Sequence, residues 1–310
     1  MPHHDSDAHA ARETRRGLTY GLVAYLLWGL FPIYLKALGH VPPGDVLAHR
    51  ILWSLALLAG VILLAGRGPA VRAALRNRGV MLTLLATSLL IAVNWLVYIY
   101  AVASEQMLAG SLGYYLNPLV SVGFGYLILK ERLTRTQAGA MALALAGIAV
   151  LAIDAGGALW ITLTLAFSFS LYGLLRKMAP VDPLTGLALE TLILAPVAAA
   201  WLLWQAGEEP PSFGQDRTTA LLLVLSGAVT AGPLLLFSAA AKRLRYATVG
   251  ILQFIAPSLV FALALLVYGE TLTWAHIVCF GAIWTAVAIY VAENLRLARQ
   301  VRPEEAAAIA

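Results

Sequence analysis

Apolar segments of about 20 residues recur along most of this 310-residue chain, and they limit its fold more than any other feature. A helix of that length rises about 1.5 Å per residue and so crosses the roughly 30 Å hydrocarbon core of a bilayer. The composition agrees, since 61% of the residues are hydrophobic and 12% are charged, whereas a soluble domain has roughly 25% charged residues. The sequence therefore predicts an all-α membrane protein.

We predict ten membrane-spanning helices, called spans 1 to 10. Basic residues support this count, because Lys and Arg accumulate on short cytoplasmic loops, and all but three of the 21 Lys and Arg residues lie in the two tails or on alternate connections. The exceptions are Lys36, Arg50 and Arg217. Both termini are thus expected in the cytoplasm. The approximate bounds of the spans are 18–38, 46–65, 80–101, 107–129, 137–153, 157–175, 184–204, 219–241, 247–268 and 273–292.

The segments outside the spans are short and polar. Residues 1–17 are predicted to be a disordered cytoplasmic tail, and residues 293–310 a second cytoplasmic tail. The net charge of +5 is accounted for by basic loops that face anionic lipid, so membrane lipid is an expected partner and nucleic acid is not. The single cysteine, Cys279, excludes an internal disulfide and a cysteine-based metal site.

An internal repeat divides the chain into two units of five spans. Residues 118–134 and 257–273 share a frame of Pro, twelve residues, Glu, one residue, then Leu-Thr, and this frame falls in span 4 and again in span 9. Five is an odd number, so the second unit enters the membrane from the opposite side to the first. Inverted repeats of this kind are typical of secondary transporters with a central site. The predicted units are residues 18–153 and 157–292.

Several long stretches of the chain resemble one transporter family. These stretches are 24–36, 41–54, 94–102, 110–133, 165–177, 189–199, 231–245 and 251–270. The chain is similar to the RarD family, the chloramphenicol-sensitive permeases of the EamA branch of the drug/metabolite transporter superfamily. The resemblance implies a ten-helix permease of the bacterial inner membrane, built as two inverted five-helix EamA repeats. Ala109 stands where the resemblance leads us to expect an acidic residue, so no role for that carboxylate is carried over.

Cations near the predicted outer ends of spans 1 and 2 are candidates for substrate binding. We expect Lys36, His49 and Arg50 to line the outer half of the path and to attract a carboxylate or another acceptor-rich solute, because ionisable groups inside a span usually face protein or a water-filled cavity. For Lys36, the alternative is a side chain that reaches the membrane interface. For Arg50, the alternatives are a pair with Asp45 or bonds to carbonyl groups of a neighbouring helix.

Uncharged polar and aromatic residues inside the spans are expected to form most of the site, between spans 1, 2, 3, 4, 6, 8 and 9. For the aromatic members, the alternative is the belt of Trp and Tyr at the membrane interface. Three prolines are expected to kink helices around the site, namely Pro32, Pro118 and Pro257. The kink at Pro32 is either a hinge or a feature of helix packing. The candidate substrate-binding residues are Trp28, Asn94, Trp95, Tyr98, Tyr114, Asn117, Tyr172 and Gln253.

Glu190 is the acidic residue that lies well inside a span, and it is the candidate for proton coupling. The alternatives are a structural hydrogen bond to a neighbouring helix and a pair with Arg176.

The predicted function is a permease that moves a small organic solute or drug-like metabolite by alternating access. Motifs for ATP binding, zinc proteases and serine hydrolases are missing from the sequence, so we expect no enzyme activity, no cofactor and no metal. The alternatives are an amino-acid or metabolite exporter of the EamA type and, in another class, a membrane-embedded enzyme or sensor. The expected partners are lipid and a small-molecule substrate, in a monomer or a homodimer.

Overall fold

The computed structural model describes the whole chain except residues 1–2, 128–133, 155–157, 209, 242, 245–251 and 309–310. Eleven helices make up nearly all of the described part, and short turns join them. They are α1 (His3–Ala37), α2 (Pro43–Leu64), α3 (Gly68–Arg76), α4 (Arg78–Ala103), α5 (Met107–Leu127), α6 (Arg135–Asp154), α7 (Leu159–Met178), α8 (Pro183–Glu208), α9 (Arg217–Ala241), α10 (Ile255–Leu266) and α11 (Trp274–Ala308).

Seven of the described helices are long and apolar enough to cross a membrane, namely α1, α2, α4, α7, α8, α9 and α11. They also expose large apolar side chains, such as Leu64 at 93% and Leu203 at 78% of their surface, which suits contact with lipid. The protein is therefore a multi-pass, all-helical membrane protein. The helices α6 and α10 have shorter apolar segments, Arg135–Leu151 and Ile255–Leu266, so a total of ten spans stays a prediction.

The first helix is longer than the sequence predicted. It begins at His3, where we expected a disordered tail over residues 1–17. Residues 8–16 are mostly Ala, Arg and Glu, which are good helix formers, and they continue the helix of span 1. Glu13 adds two ion pairs, with Arg16 at 2.8 Å and with Arg243 at 2.9 Å.

The basic connection between α2 and α4 contains a helix that was not predicted, α3. Its basic residues Arg72 and Arg76 accompany several apolar ones, so it is too short and too polar to cross the membrane. The side chain of Asn77 accepts a hydrogen bond from the N–H of Val80 at 3.1 Å and caps the start of α4. This cap separates α3 from the spanning helix.

The packing of the helices brings α1, α2, α4, α5 and α9 together. Helix α2 packs against α8 and α9, α1 packs against α9 and α10, and α7 packs against α4 and α5. The approach of α2 to α9 depends on Gly227, since a Cβ atom there would lie 2.5 Å from the backbone of Trp53. The side chains of α2 that face α9 and α4 are therefore held at the centre of the molecule.

Candidate functional site

Arg50 is the buried cation at this centre, with 5% of its surface exposed. Its Nε donates a hydrogen bond of 2.7 Å to Oγ1 of Thr230 on α9. Its guanidinium carbon lies 4.6 Å from the ring centre of Phe31 and 4.7 Å from that of Trp95, which are cation–π distances. Its Nη1 atom is buried and has no hydrogen-bond partner among the described residues.

Aromatic rings surround the Arg50 guanidinium. The Phe31 ring stacks on Tyr98 with 6.2 Å between ring centres, and the Tyr98 and Tyr114 rings lie 5.4 Å apart. Tyr34 also stacks on Phe31, with 5.6 Å between ring centres. The hydroxyl of Tyr34 donates to the carbonyl oxygen of Leu222 at 2.8 Å, which fixes this ring against α9. Arg50 therefore lies in a largely aromatic environment.

A hydrogen-bond network around Asn94 joins α4, α5 and α7 beside this aromatic group. Asn94 accepts from the hydroxyl of Tyr114 at 3.1 Å. It donates to the carbonyl oxygen of Leu165 at 3.2 Å and to Oγ of Ser168 at 3.0 Å. Asn94, with 1% of its surface exposed, has its amide satisfied at both ends, so its role here is to hold the Tyr114 ring in place.

Asn117 lies one helical turn after Tyr114 on α5, and its side chain is not satisfied in the same way. Its backbone carbonyl accepts a hydrogen bond of 3.1 Å from Ser170. Its Oδ1 atom is buried and has no partner among the described residues. Arg50 and Asn117 thus each hold a buried polar atom without a partner in the described part of the chain.

A second polar cluster surrounds Glu190 on α8, which has 1% of its surface exposed. Its carboxylate accepts hydrogen bonds from Thr87 at 2.7 Å and from Tyr172 at 3.1 Å. Arg176 approaches the same carboxylate, with Nε 3.6 Å from Oε1. Gly186 makes room for this arginine, since a Cβ atom at that position would overlap its guanidinium group.

Arg50 and Glu190 hold matching positions in their helices. Helix α2 begins at Pro43 and α8 at Pro183, and a proline at the first helical position is well tolerated because no hydrogen bond of its nitrogen is needed there. Arg50 and Glu190 are each the eighth residue of their helix, and each bonds a threonine on another helix. The cation has no anionic partner among the described residues, whereas the anion has Arg176.

His49 does not join Arg50, although the two residues are adjacent in the sequence. Its ring stacks on Phe213 with 5.3 Å between ring centres. It lines a separate cavity of about 110 Å³, together with Asp45 and residues of α8 and of the loop 210–216. Asp45 accepts hydrogen bonds from Trp201 at 2.9 Å and Ser212 at 2.7 Å. The structure therefore does not contain the pair between Arg50 and Asp45 that was the alternative for Arg50.

Lys36 is also separate from Arg50. Its ammonium lies 3.3 Å from a carboxylate oxygen of Glu105 and 5.2 Å from the ring centre of Tyr268. Nearby, Glu270 accepts hydrogen bonds from the N–H groups of Met107 at 2.7 Å and Leu108 at 2.9 Å and so caps the start of α5. Burial raises the pKa of the Glu270 carboxyl group, while these two N–H groups oppose that effect.

The sequence pattern of the EamA-like transporter family matches residues 15–153 and again residues 155–292. The chain belongs to this family. An uncharacterized transporter of Pseudomonas aeruginosa is 44% identical over 294 residues, which cover 94% of this chain and 98% of that protein. The RarD protein of Escherichia coli is 39% identical over 291 residues, with 94% and 98% covered. The resemblance to RarD is thus confirmed, and the protein is a transporter.

One solved crystal structure shares the fold of this chain. It superposes with a TM-score of 0.59 at 24% sequence identity, over 88% of this chain and 96% of that one. At this identity the likeness concerns the fold alone.

The structure brings together five of the candidate residues of this EamA-family protein: Arg50, Trp95, Tyr98, Tyr114 and, through Tyr114, Asn94. Trp28 packs instead on Tyr25 and Phe237, and Gln253 is half-buried in the turn before α10. Tyr172 belongs to the Glu190 cluster.

The three prolines differ in their positions. Pro32 lies inside α1. Pro257 lies in the first turn of α10, where a proline is accommodated without bending the helix. Pro118 falls within α5, and its side chain lies outside the described part. Glu131 of the repeat frame is also outside the described residues.

Three residues of the Arg50 environment were missed by sequence reasoning, namely Phe31, Tyr34 and Thr230. The sequence could have indicated Phe31 and Tyr34, because they lie three residues apart and share a face of α1. No comparable spacing indicates Thr230.

Proposed function

We propose that this EamA-family transporter moves a small organic solute across the bacterial inner membrane by alternating access, through a site centred on Arg50. One observation carries the proposal: a buried guanidinium group with a free nitrogen lies among aromatic rings where five helices meet. A buried charge without a counter-ion destabilises a fold by several kcal/mol. Inside a membrane protein, such a group usually marks a substrate or ion path.

The proposed architecture is ten spans in two inverted repeats, residues 18–153 and 157–292, with both termini in the cytoplasm. Two successive matches to the same family pattern support the division. The matching positions of Arg50 and Glu190, eight residues into α2 and α8, support a common origin of the two halves. The orientation follows from the basic residues of the tails and alternate connections. In such a transporter, either half exposes the central site in turn.

Proton coupling at Glu190 is a further part of the proposal. The carboxylate lies inside the bundle, where protonation would remove its ion pair with Arg176. The contacts with Thr87, Tyr172 and Arg176 fit a structural role equally well. A pH gradient separates the two roles: coupling predicts that Glu190→Gln makes transport independent of the gradient, and a structural role predicts that the dependence is unchanged.

Exposure of reconstituted vesicles to a bacterial metabolite extract tests the transport function while the substrate is still unidentified. We would analyse the vesicle contents by mass spectrometry for the wild-type protein, for Arg50→Gln and for protein-free vesicles. Arg217→Gln is the matched control, because this arginine is exposed at the start of α9.

We expect at least one solute to enter wild-type and Arg217→Gln vesicles and to stay out of the other two. Equal contents in all four preparations would contradict transport through this site.

A further inference from the structure

We infer that the transported solute is an organic monocarboxylate with a planar, apolar body, and that Arg50 binds the carboxylate through the edge that carries Nη1. This inference rests on the proposed function, because it takes the Arg50 environment as the substrate site. It adds the chemical class of the substrate.

The contacts of Arg50 leave its Nη1 atom for a ligand. Phe31 and Trp95 lie over the guanidinium at 4.6 and 4.7 Å, and Nε is bonded to Thr230. The buried Nη1 has no partner among the described residues. The edge of a guanidinium group is planar and donates parallel N–H bonds, which suit the two oxygens of a carboxylate.

The charges around Arg50 favour an anionic ligand. Asp45 is bonded to Trp201 and Ser212, and Glu190 is paired with Arg176. Of the carboxylates that the structure describes, none pairs with Arg50. A substrate carboxylate would supply the missing negative charge, whereas a neutral solute would leave the buried cation uncompensated.

The same charges disfavour an amino acid as the substrate. Its ammonium group would lie near the Arg50 cation, with no carboxylate in the described surroundings to offset the repulsion. The rings of Trp95, Tyr98 and Tyr114 make the surroundings of Arg50 largely aromatic, which suits a ligand with an apolar or aromatic body.

Matched pairs of ligands test this inference on the purified full-length protein. The probes are benzoate with benzamide, phenylacetate with phenylacetamide, and phenylalanine, and the readout is the midpoint of thermal unfolding at increasing ligand concentration. A ligand that binds the folded state stabilises it in proportion to ln(1 + [L]/Kd). Sodium chloride at equal concentration controls for ionic strength.

We expect the two carboxylates to raise the midpoint and to bind roughly tenfold to hundredfold more tightly than their amides, the range for a charge-assisted hydrogen bond in a buried site. Phenylalanine should have no effect. Arg50→Gln should abolish the preference for carboxylates, and Arg217→Gln should keep it. Should Arg50→Gln fail to fold, Arg50→Lys keeps the charge, and we expect it to bind carboxylates more weakly but still better than amides.

The outcomes distinguish the inference from the function on which it rests. Carboxylates and amides that bind equally, both through Arg50, would overturn the inference and leave the site standing. Carboxylate binding that survives Arg50→Gln, or no stabilisation by either carboxylate, would also overturn the inference. The transport function itself fails only if no solute enters the vesicles in the metabolite experiment.

Discussion

The ion pair between Arg176 and Glu190 gives a prediction about stability. Replacing Arg176 by Met leaves a carboxylate that is 1% exposed without its cationic partner. Removing one member of a buried ion pair costs roughly 3–5 kcal/mol. Thr87 and Tyr172 still donate to the carboxylate, so we expect the lower end, about 3 kcal/mol of lost unfolding free energy.

A double-mutant cycle isolates the contribution of the pair. In Arg176→Met/Glu190→Gln the buried charge is gone, and we expect about 2 kcal/mol of the loss to be recovered relative to Arg176→Met alone. The assay is denaturant unfolding in mixed micelles, followed by far-ultraviolet circular dichroism.

Arg67→Met is the matched control for the cycle. Arg67 pairs with Asp182 at the same 3.6 Å separation, but its side chain is 42% exposed. Its loss should cost less than about 1 kcal/mol. The losses of unfolding free energy in Arg176→Met and in Glu190→Gln should not simply add up to the loss in the double variant. A sum that matches the double variant to within about 0.5 kcal/mol would refute the pairing.

Two other predictions concern helix packing and capping. Gly227→Ala should destabilise the protein by about 1–3 kcal/mol, because the new Cβ would lie 2.5 Å from the Trp53 backbone. The midpoint of thermal unfolding measures this, and Gly281→Ala is the control because a Cβ there meets no other atom within 4 Å. Equal midpoints for the two variants would contradict the prediction. Hydrogen bonds from Thr219 hold the pKa of Asp216 below its usual value. The stability that Asp216 adds is therefore present above the pKa of the unfolded chain and is lost as the pH falls through the folded pKa. Wild type and Asp216→Asn should differ in unfolding midpoint at neutral pH and converge in acid, and a difference that grows in acid would reverse the sign of the argument.

The spanning helices were predictable because each is a local property of about 20 residues. Apolar runs and basic connections gave approximate bounds for α2, α4, α7, α8 and α9. The start of α1 at His3 was not predicted, because the polarity of the first 17 residues suggested disorder although their helix propensity is high.

The candidate site was predictable only in part, because its geometry depends on contacts between distant segments. Arg50 and His49 are adjacent in sequence, yet successive side chains on a helix point about 100° apart. One faces α9 and the other faces Phe213. Thr230 lies 180 residues from Arg50 in the chain, and no local pattern relates the two.

The central claim is that the Arg50 site opens alternately to the two sides of the membrane, and cysteine accessibility tests it directly. With Cys279, the single cysteine, replaced by Ser, Thr230→Cys places a thiol beside Arg50 at a position that is 2% exposed. Membrane-impermeant reagents are then applied to right-side-out and inside-out vesicles. Ser212→Cys and Gly68→Cys, on connections predicted to face opposite sides, are the one-sided controls. Alternating access predicts that the thiol at position 230 reacts from both sides while each control reacts from one; reaction from a single side, or from neither, would contradict the account.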